Sequence, residues 1–234
     1  MNSSVPVMPA RLLVEERRRL IVEQVERQGR ATVEELAERF AISPVTVRND
    51  LETLARNGAI KRSHGGAVPA SPMTPDMPLT VKETHPLAEK RRIGAAAANL
   101  VHDGDTIILD SGTTTAEIAR QLRQRRWSSL TVITNAVNIA LELGAVAGVR
   151  VMLLGGLMRP TSHSLVGPDA ERMLMRLSAD RLFLGVDGFD LDVGVTTPDP
   201  QEASLNALMM NVSRETVAVF DASKFGQRSL SVIA

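Results

Sequence analysis

The chain has 234 residues, no cysteine, and 27 Lys plus Arg against 27 Asp plus Glu, for a formal net charge of zero. That length accommodates a small domain and one of ordinary size. The charge balance excludes a histone-like polybasic binder and makes any nucleic-acid contact local, while the missing thiols exclude disulfides, thiolate metal sites and a cysteine nucleophile.

Aromatic side chains are scarce, with no tyrosine and Trp127 as the single tryptophan, so stacking on sugars or bases has little to draw on. Residues 1–10 lack a basic stretch followed by a long apolar run, and no 18 apolar residues occur in succession. A soluble, cytoplasmic protein without a membrane partner is expected.

The first strong local signal is Thr32-Val33-Glu34-Glu35, a capping box in which the Thr32 hydroxyl and the Glu35 carboxylate each satisfy an orphan backbone N–H. Val33, Leu36, Ala37 and Phe40 follow at one-face helical spacing. Ala41-Ile42 makes a turn, Ser43 caps a second helix, and Pro44 occupies its first position, where a missing N–H is harmless. On that helix Val47, Leu51 and Leu54 form an apolar stripe, with Val45, Asn49, Glu52 and Arg56 opposite and Arg48 and Thr46 alongside.

This pair predicts a helix-turn-helix whose second helix enters the major groove. Asn49 suits an adenine edge, Arg48 a guanine or a phosphate, and Val45 a thymine methyl, while Ser43 and Thr46 suit phosphates. Asn57-Gly58 stops the helix; Ala59-Ile60-Lys61-Arg62 reads as a strand, Ser63-His64-Gly65-Gly66 as a turn, and Ala67-Val68 as its return. Two short strands beside a recognition helix make a wing, adding Lys61, Arg62 and His64 to the candidate DNA contacts. An ordinary surface helix with a solvated polar face is the competing reading, and Arg48, Arg56, Lys61 and Arg62 against Asp50 and Glu52 make the region only mildly basic.

Pro69, Pro72, Pro75 and Pro78 recur every third residue, a composition favouring an extended, semi-rigid spacer. The domains expected are residues 1–68, a linker over 69–86, and residues 87–234. The spacer is either a transmission strut or an inert tether, and spacing alone does not choose.

Beyond it helices and apolar strands alternate. Helices are expected over about 87–101, 114–124, 136–143, 169–177 and 201–213, and strands over 106–110, 130–134, 149–154, 181–186 and 216–220. Such interleaving predicts a parallel α/β sheet, with ligands at the carboxyl ends of its strands.

Asp110-Ser111-Gly112-Thr113-Thr114-Thr115 follows the first strand and opens a helix, so backbone N–H groups, threonine hydroxyls and the positive helix end can converge on an anion. A phosphate is the natural occupant; a capped turn without a ligand is the alternative. The loop is neither a Walker A sequence nor the dinucleotide fingerprint. Other polar strand ends are Asn135, Gly155-Gly156 with Arg159 after it, Asp187-Gly188 and Lys224. Asp187 fits sugar hydroxyls and Lys224 a phosphate, although singly they also fit a cap and a solvated lysine. His85, His102 and His163 are scattered, and no metal-ligand spacing is visible.

Several of these stretches resemble the deoxyribose-operon regulator (DeoR) family of bacterial repressors: Arg17-Arg-Arg-Leu-Ile21, Val45-Thr-Val-Arg-Asn-Asp-Leu51, His64-Gly-Gly-Ala67, Leu109-Asp-Ser-Gly-Thr-Thr-Thr115, Phe183-Leu-Gly-Val-Asp-Gly188 and Asp221-Ala-Ser-Lys-Phe225. The recognition helix and the Leu109–Thr115 loop look closest to members controlling amino-sugar catabolism, such as N-acetylgalactosamine use. The resemblance implies a winged helix-turn-helix joined to a parallel α/β sensor domain similar to ribose-5-phosphate isomerase. It also implies operator DNA and a small phosphorylated sugar as partners, no further cofactor, and a homo-oligomer, dimer or tetramer.

The expected function is a repressor of a sugar or amino-sugar operon whose operator affinity follows the effector, with no catalytic residues. A sugar-phosphate isomerase carrying a DNA-binding extension is the alternative. Against it, Leu191-Asp-Val-Gly-Val-Thr-Thr197 replaces the isomerase pattern's segment with a catalytic glutamate. The family usually continues past the strand near Ser229 with a further strand and a helix, so a shortened C-terminus with an exposed sheet edge is expected.

Overall fold

The computed structural model describes residues 13–69, 76–82 and 87–234. The chain divides into two compact units, Met1–Pro72 and Met73–Ala234.

The first unit runs α1 (Val14–Gln28), β1 (Ala31–Thr32), α2 (Val33–Phe40), α3 (Pro44–Arg56), β2 (Ile60–Ser63) and β3 (Gly66–Pro69). Both predicted caps form. Glu35 N–H donates to Thr32 Oγ1 at 3.2 Å while Glu35 Oε2 accepts from Thr32 N–H at 2.8 Å, and the Ser43 hydroxyl accepts from Thr46 N–H at 3.1 Å. Ile21 and Val25 of α1, Leu36 of α2, Val47, Leu51 and Leu54 of α3, and Ile60 of β2 make the core. Burying such side chains contributes roughly 1.5–3 kcal/mol apiece.

The wing hairpin is antiparallel, and β1 pairs with β3 to give the order β1-β3-β2. A two-residue strand has no periodicity to read, so β1 is absent from the sequence expectations. Gly66 permits its pairing: a Cβ there would lie 2.1 Å from the Ala31 carbonyl oxygen.

The second unit begins with a turn of helix, α4 (Leu79–Lys82), then α5 (Leu87–Ala98), β4 (Thr106–Leu109), α6 (Thr113–Arg123), β5 (Leu130–Thr134), α7 (Val137–Leu143) and β6 (Val149–Leu153). A short hairpin, β7 (Leu157–Met158) and β8 (Leu165–Val166), precedes α8 (Pro168–Leu174) and β9 (Ala179–Gly185). A second hairpin, β10 (Gly188–Asp190) and β11 (Gly194–Thr197), leads to α9 (Pro200–Asn211), β12 (Ser213–Val219), a single 3-10 turn over Ala222–Lys224, and β13 (Ser231–Val232).

The five-stranded sheet has the order β12-β9-β4-β5-β6, all neighbours parallel. Alternate residues serve opposite faces: Ile107, Leu109, Val132 and Phe183 pack with α5, α6 and α7, whereas Ile108, Ile133, Leu182 and Leu184 pack with α8 and α9. Covering both faces explains why these strands read as continuous apolar runs.

Five boundaries move by two residues or more. The helix expected to reach Val101 ends at Ala98, the one expected to reach Leu177 ends at Leu174, and α9 stops at Asn211 so that Ser213 already begins β12. The strand predicted from Arg181 starts at Ala179.

β11 lies in the Leu191–Thr197 region, for which no strand was expected, and sits between β10 and β13 in a three-stranded antiparallel sheet. Of the proline-spaced linker, 70–75 and 83–86, including Pro72, Pro75 and His85, lie outside the described residues. Pro69 belongs to β3, and Leu79 is buried with its N–H on the Thr161 carbonyl at 2.7 Å. Pro69 and Leu79–Lys82 thus lie in regular elements of the two units. Among the described residues no helix is long and apolar enough to cross a membrane.

Candidate functional site

The exposed face of α3 carries Val45, Arg48 and Asn49, with Val45 62% exposed although it is apolar. Ser43 and Thr46 sit together at the helix start, their hydroxyls 2.9 Å apart. Lys61 and His64 are exposed on the wing. Arg62 is half-buried, and its guanidinium donates to the Gly66 carbonyl at 3.1 Å, so it also fastens the wing turn.

One residue of this helix was missed. Asp50 is 2% exposed and receives Arg17 Nε at 2.7 Å and Arg18 Nε at 2.9 Å, one arginine of α1 on each carboxylate oxygen. Its position three residues after Val47 puts it on the apolar stripe, and a carboxylate there requires a buried cation. That combination was a readable signal.

In the second unit, β5 and β6 lie on one side of β4 and β9 and β12 on the other, so the strand order reverses between β4 and β9. Crevices at such reversals, beyond the carboxyl ends of the strands, receive ligands. Asp110 spans the reversal: one oxygen accepts from Ser111 N–H at 2.6 Å and the other from Gly185 N–H at 3.2 Å. Gly185 allows this approach, since a Cβ would lie 3.1 Å from the Ser111 carbonyl oxygen. Burial, then the nearby Glu202 charge, holds the Asp110 carboxyl well above the usual carboxylate range, against the bond from Ser111.

Gly112 stands before α6 with φ 143°, and Thr113, Thr114 and Thr115 open the helix, all buried. Thr115 differs from its two neighbours because its hydroxyl donates back to the Gly112 carbonyl at 3.0 Å. Thr113 faces a recess that Leu87, Lys90, Ala116, Glu117 and Arg120 also line.

Leu109 pairs with Thr134 in register, so Asp110 and Asn135 follow next on adjacent strands. Asn135 is fully buried, and its side-chain oxygen and nitrogen have no hydrogen-bond partner among the described residues. Such an orphan costs roughly 1–3 kcal/mol unless a ligand or water satisfies it.

Asp187, beyond β9, accepts from Lys82 Nζ at 2.6 Å and Thr197 Oγ1 at 3.2 Å. Burial pushes its carboxyl up, but Lys82 and then Lys224 outweigh that and leave it below the usual range. Lys224 lies in the 3-10 turn capped by Asp221. Lys90, buried on α5, has its ammonium pushed down to about 8 by burial, with Asp221 opposing and the Lys224 and Lys82 charges adding to the shift.

Lys82 and Lys224 thus lie close to Asp187, and Lys90 lies close to both of those lysines. Lys82 and Lys90 were missed: Lys82 lay in a stretch read as spacer, while Lys90 falls four residues before Gly94 and seven before Ala97 on the buried stripe of α5, a visible anomaly.

Three predicted positions do other work. Arg159 is held by Asp76 at 2.6 Å, Glu202 at 2.6 Å and Asp199 at 3.3 Å, so its charge is already compensated and it is not an open anion ligand. Gly188 is buried in the β10–β11 pairing, where a Cβ would lie 2.6 Å from the Gln227 carbonyl oxygen. Gly156 serves close packing, with a Cβ 2.4 Å from the Val166 carbonyl oxygen, while Gly155 is exposed in open space. Glu202, also missed, accepts from Ser162 at 2.8 Å and Ser164 at 2.7 Å.

Comparison with known proteins places these two constellations in context. The family described as the DeoR C terminal sensor domain matches residues 86–234, and the DeoR-like helix-turn-helix domain matches residues 17–72. The chain is 40% identical over 220 residues to a protein of Escherichia coli O157:H7 named as an aga operon transcriptional repressor, covering 93% of this chain and 81% of that protein. It is 38% identical over 218 residues to the HTH-type transcriptional regulator GlpR of Haloferax volcanii, covering 93% and 84%. It is 33% identical over 211 residues to the glycerol-3-phosphate regulon repressor of Escherichia coli K12, covering 90% and 82%. Among solved structures, ribose 5-phosphate isomerase A of Methanocaldococcus jannaschii aligns at TM-score 0.43 and 16% identity, over 59% of this chain and 54% of that one.

Proposed function

Because the chain belongs to the DeoR family of transcriptional regulators, we propose that it represses a sugar-catabolic operon and loses or gains operator affinity when a phosphorylated sugar fills the crevice between β4 and β9. It is a regulator and not an enzyme. Base contacts come from Val45, Arg48 and Asn49, phosphate contacts from Ser43, Thr46, Lys61 and His64. An amino-sugar operon is the subgroup that the aga-named relative favours. The protein works in the cytoplasm, where its operator is, needs no other cofactor, and pairs as a homo-oligomer on half-sites spaced by about 34 Å or multiples of it.

The observation that carries the effector reading is the gathering of Lys82, Lys90 and Lys224 at the strand-order reversal, with Lys90 sharing a recess with Thr113 of the anion loop. Cations that crowd one another in a buried site gain from an incoming phosphate. The orphaned Asn135 amide supplies a donor and an acceptor for the sugar.

Replacing Thr113 and Thr114 together by valine keeps their shape and removes two hydroxyls. Calorimetric titration with sugar phosphates is expected to show affinity falling by about tenfold per hydroxyl, with effector-free operator affinity unchanged. A level affinity would overturn the site.

Proton linkage gives a second expectation. Lys90 loses its proton near pH 8, whereas a phosphate monoester is already a dianion well below that pH. Binding favours the ammonium form, so affinity should change little between about pH 7 and 7.5 and fall about tenfold between pH 7 and 9. In a Lys90→Met variant that slope should disappear.

A further inference from the structure

The stretch Asp76–Lys82 carries a feature that neither the DNA-reading face nor the effector crevice explains: both of its ends are ionically fastened to the rim of that crevice. At one end Asp76 takes Arg159 Nη2 at 2.6 Å and Thr161 Oγ1 at 3.2 Å. In the middle the buried Leu79 donates its N–H to the Thr161 carbonyl at 2.7 Å. At the other end Lys82 Nζ meets Asp187 at 2.6 Å, and the Lys82 carbonyl accepts from Lys90 Nζ.

The two ends are joined through the site. Asp187 accepts from Thr197 Oγ1, that oxygen lies 3.5 Å from Glu202, and Glu202 pairs with Arg159. A polar chain Lys82–Asp187–Thr197–Glu202–Arg159–Asp76 therefore closes a ring whose remaining arc is the strap itself.

We propose that Asp76–Lys82 is a strap reporting whether the effector crevice is occupied, and that Lys82 is an effector-site residue whose partner changes on binding. Resting on the effector reading above, this deepens it to a specific exchange. The carboxylate of Asp187 accepts from the effector's hydroxyls, the phosphate takes Lys82, and the Lys82–Asp187 pair is broken. A buried ion pair is costly to break by removing one partner alone, so an occupant must replace both partners at once.

The effector class follows: a phosphate and vicinal hydroxyls on one molecule, with inorganic phosphate or an unphosphorylated sugar each offering only half of the exchange. Strap release acts on the DNA-binding unit through chain connectivity, because Asp76 follows Pro69, the end of β3, by seven positions. A ligand biases two states only through unequal affinity for them, and the coupling is reciprocal.

The test uses the full chain, with hydrogen exchange at the Leu79 amide as readout of the strap. In ligand-free protein, Lys82→Met should speed Leu79 exchange at least tenfold, and Lys82→Arg should restore protection. A panel of pentose, hexose and hexosamine phosphates is then titrated with calorimetry and exchange read on the same samples, with inorganic phosphate and glucose as controls. The binding sugar phosphate should speed Leu79 exchange in the parent and leave the already fast Lys82→Met strap unchanged, while neither control does so. The operator affinity of ligand-free Lys82→Met should match that of the effector-saturated parent.

Parent-like Leu79 protection in Lys82→Met, or sugar-phosphate binding that leaves Leu79 protected, overturns the strap while the effector site stands. Failure of every sugar phosphate to bind overturns the site and the strap together.

Discussion

Asp50→Ala is expected to cost the N-terminal unit about 3–5 kcal/mol, the range for removing one member of a buried ion pair. The carboxylate is 2% exposed and each of its oxygens serves a different arginine of α1. Without it Arg17, itself 9% exposed, keeps its charge in a site that water reaches poorly. Arg18 is more open and retains Glu15 at 3.2 Å, so most of the loss falls on Arg17.

Asp50→Asn, with the shape kept and the charge lost, should fall between the parent and the alanine variant. Pairing Asp50→Leu with Arg17→Met should recover much of the stability, because apolar replacement of both partners removes the desolvation penalty. Hydrogen exchange at α3 amides in urea isolates this unit from the second, whose unfolding would mask it in a global probe. A loss under about 1 kcal/mol would sink the argument. The pair also makes α1 the element that holds the reading helix in place, which ties the stability of the unit to its function.

Arg48→Ala combined with Asn49→Ala is expected to remove about 2–6 kcal/mol of operator preference, since each well-placed base contact contributes roughly 1–3 kcal/mol. That corresponds to a loss between about thirtyfold and about twenty-thousandfold. Both side chains are exposed, so the variant should fold with stability within about 0.5 kcal/mol of the parent. Ser43→Ala is the contrasting change: it removes a cap and costs about 1 kcal/mol of stability.

Anisotropy titrations with operator and scrambled duplexes at several salt concentrations separate base reading from phosphate attraction. Operator binding should collapse toward the scrambled value, and the salt slope should change by about one unit if Arg48 also meets a phosphate. Unchanged discrimination between the duplexes would show that α3 does not read the sequence. Effector titrations of the same variant should match the parent, because its substitutions lie in the other unit.

Much of this organisation was legible before any coordinates. Thr32, Glu35, Ser43 and Pro44 declared two helix starts through groups that satisfy their own neighbours' N–H donors, and the structure forms those bonds. The apolar runs at 106–110, 130–134 and 149–154 became parallel strands because burial on both faces leaves no polar alternation. The loop after β4 was found for the same reason: a strand end followed by a helix start has local chemistry. Where a signal was present and unread, it was a charge on an apolar stripe, at Asp50 and Lys90.

Other features had no local signal. Arg159 resembled an anion ligand because its carboxylates, Asp76, Asp199 and Glu202, are remote in sequence, up to 83 positions away. Lys82 looked like linker because its partner Asp187 is 105 positions distant. The strand β1 exists only through its pairing with β3.

The sequence by itself determined the two domains' classes, the reading helix with its caps and the threonine-rich turn that opens α6, since each depends on residues within a few positions of one another and on backbone groups that must be satisfied nearby. Only the tertiary structure decided which charges remain available and which are already paired. That outcome depends on distances of a few ångströms between groups far apart along the chain, and in a buried site those distances determine whether a lysine or an arginine is open to a ligand or already held by a carboxylate.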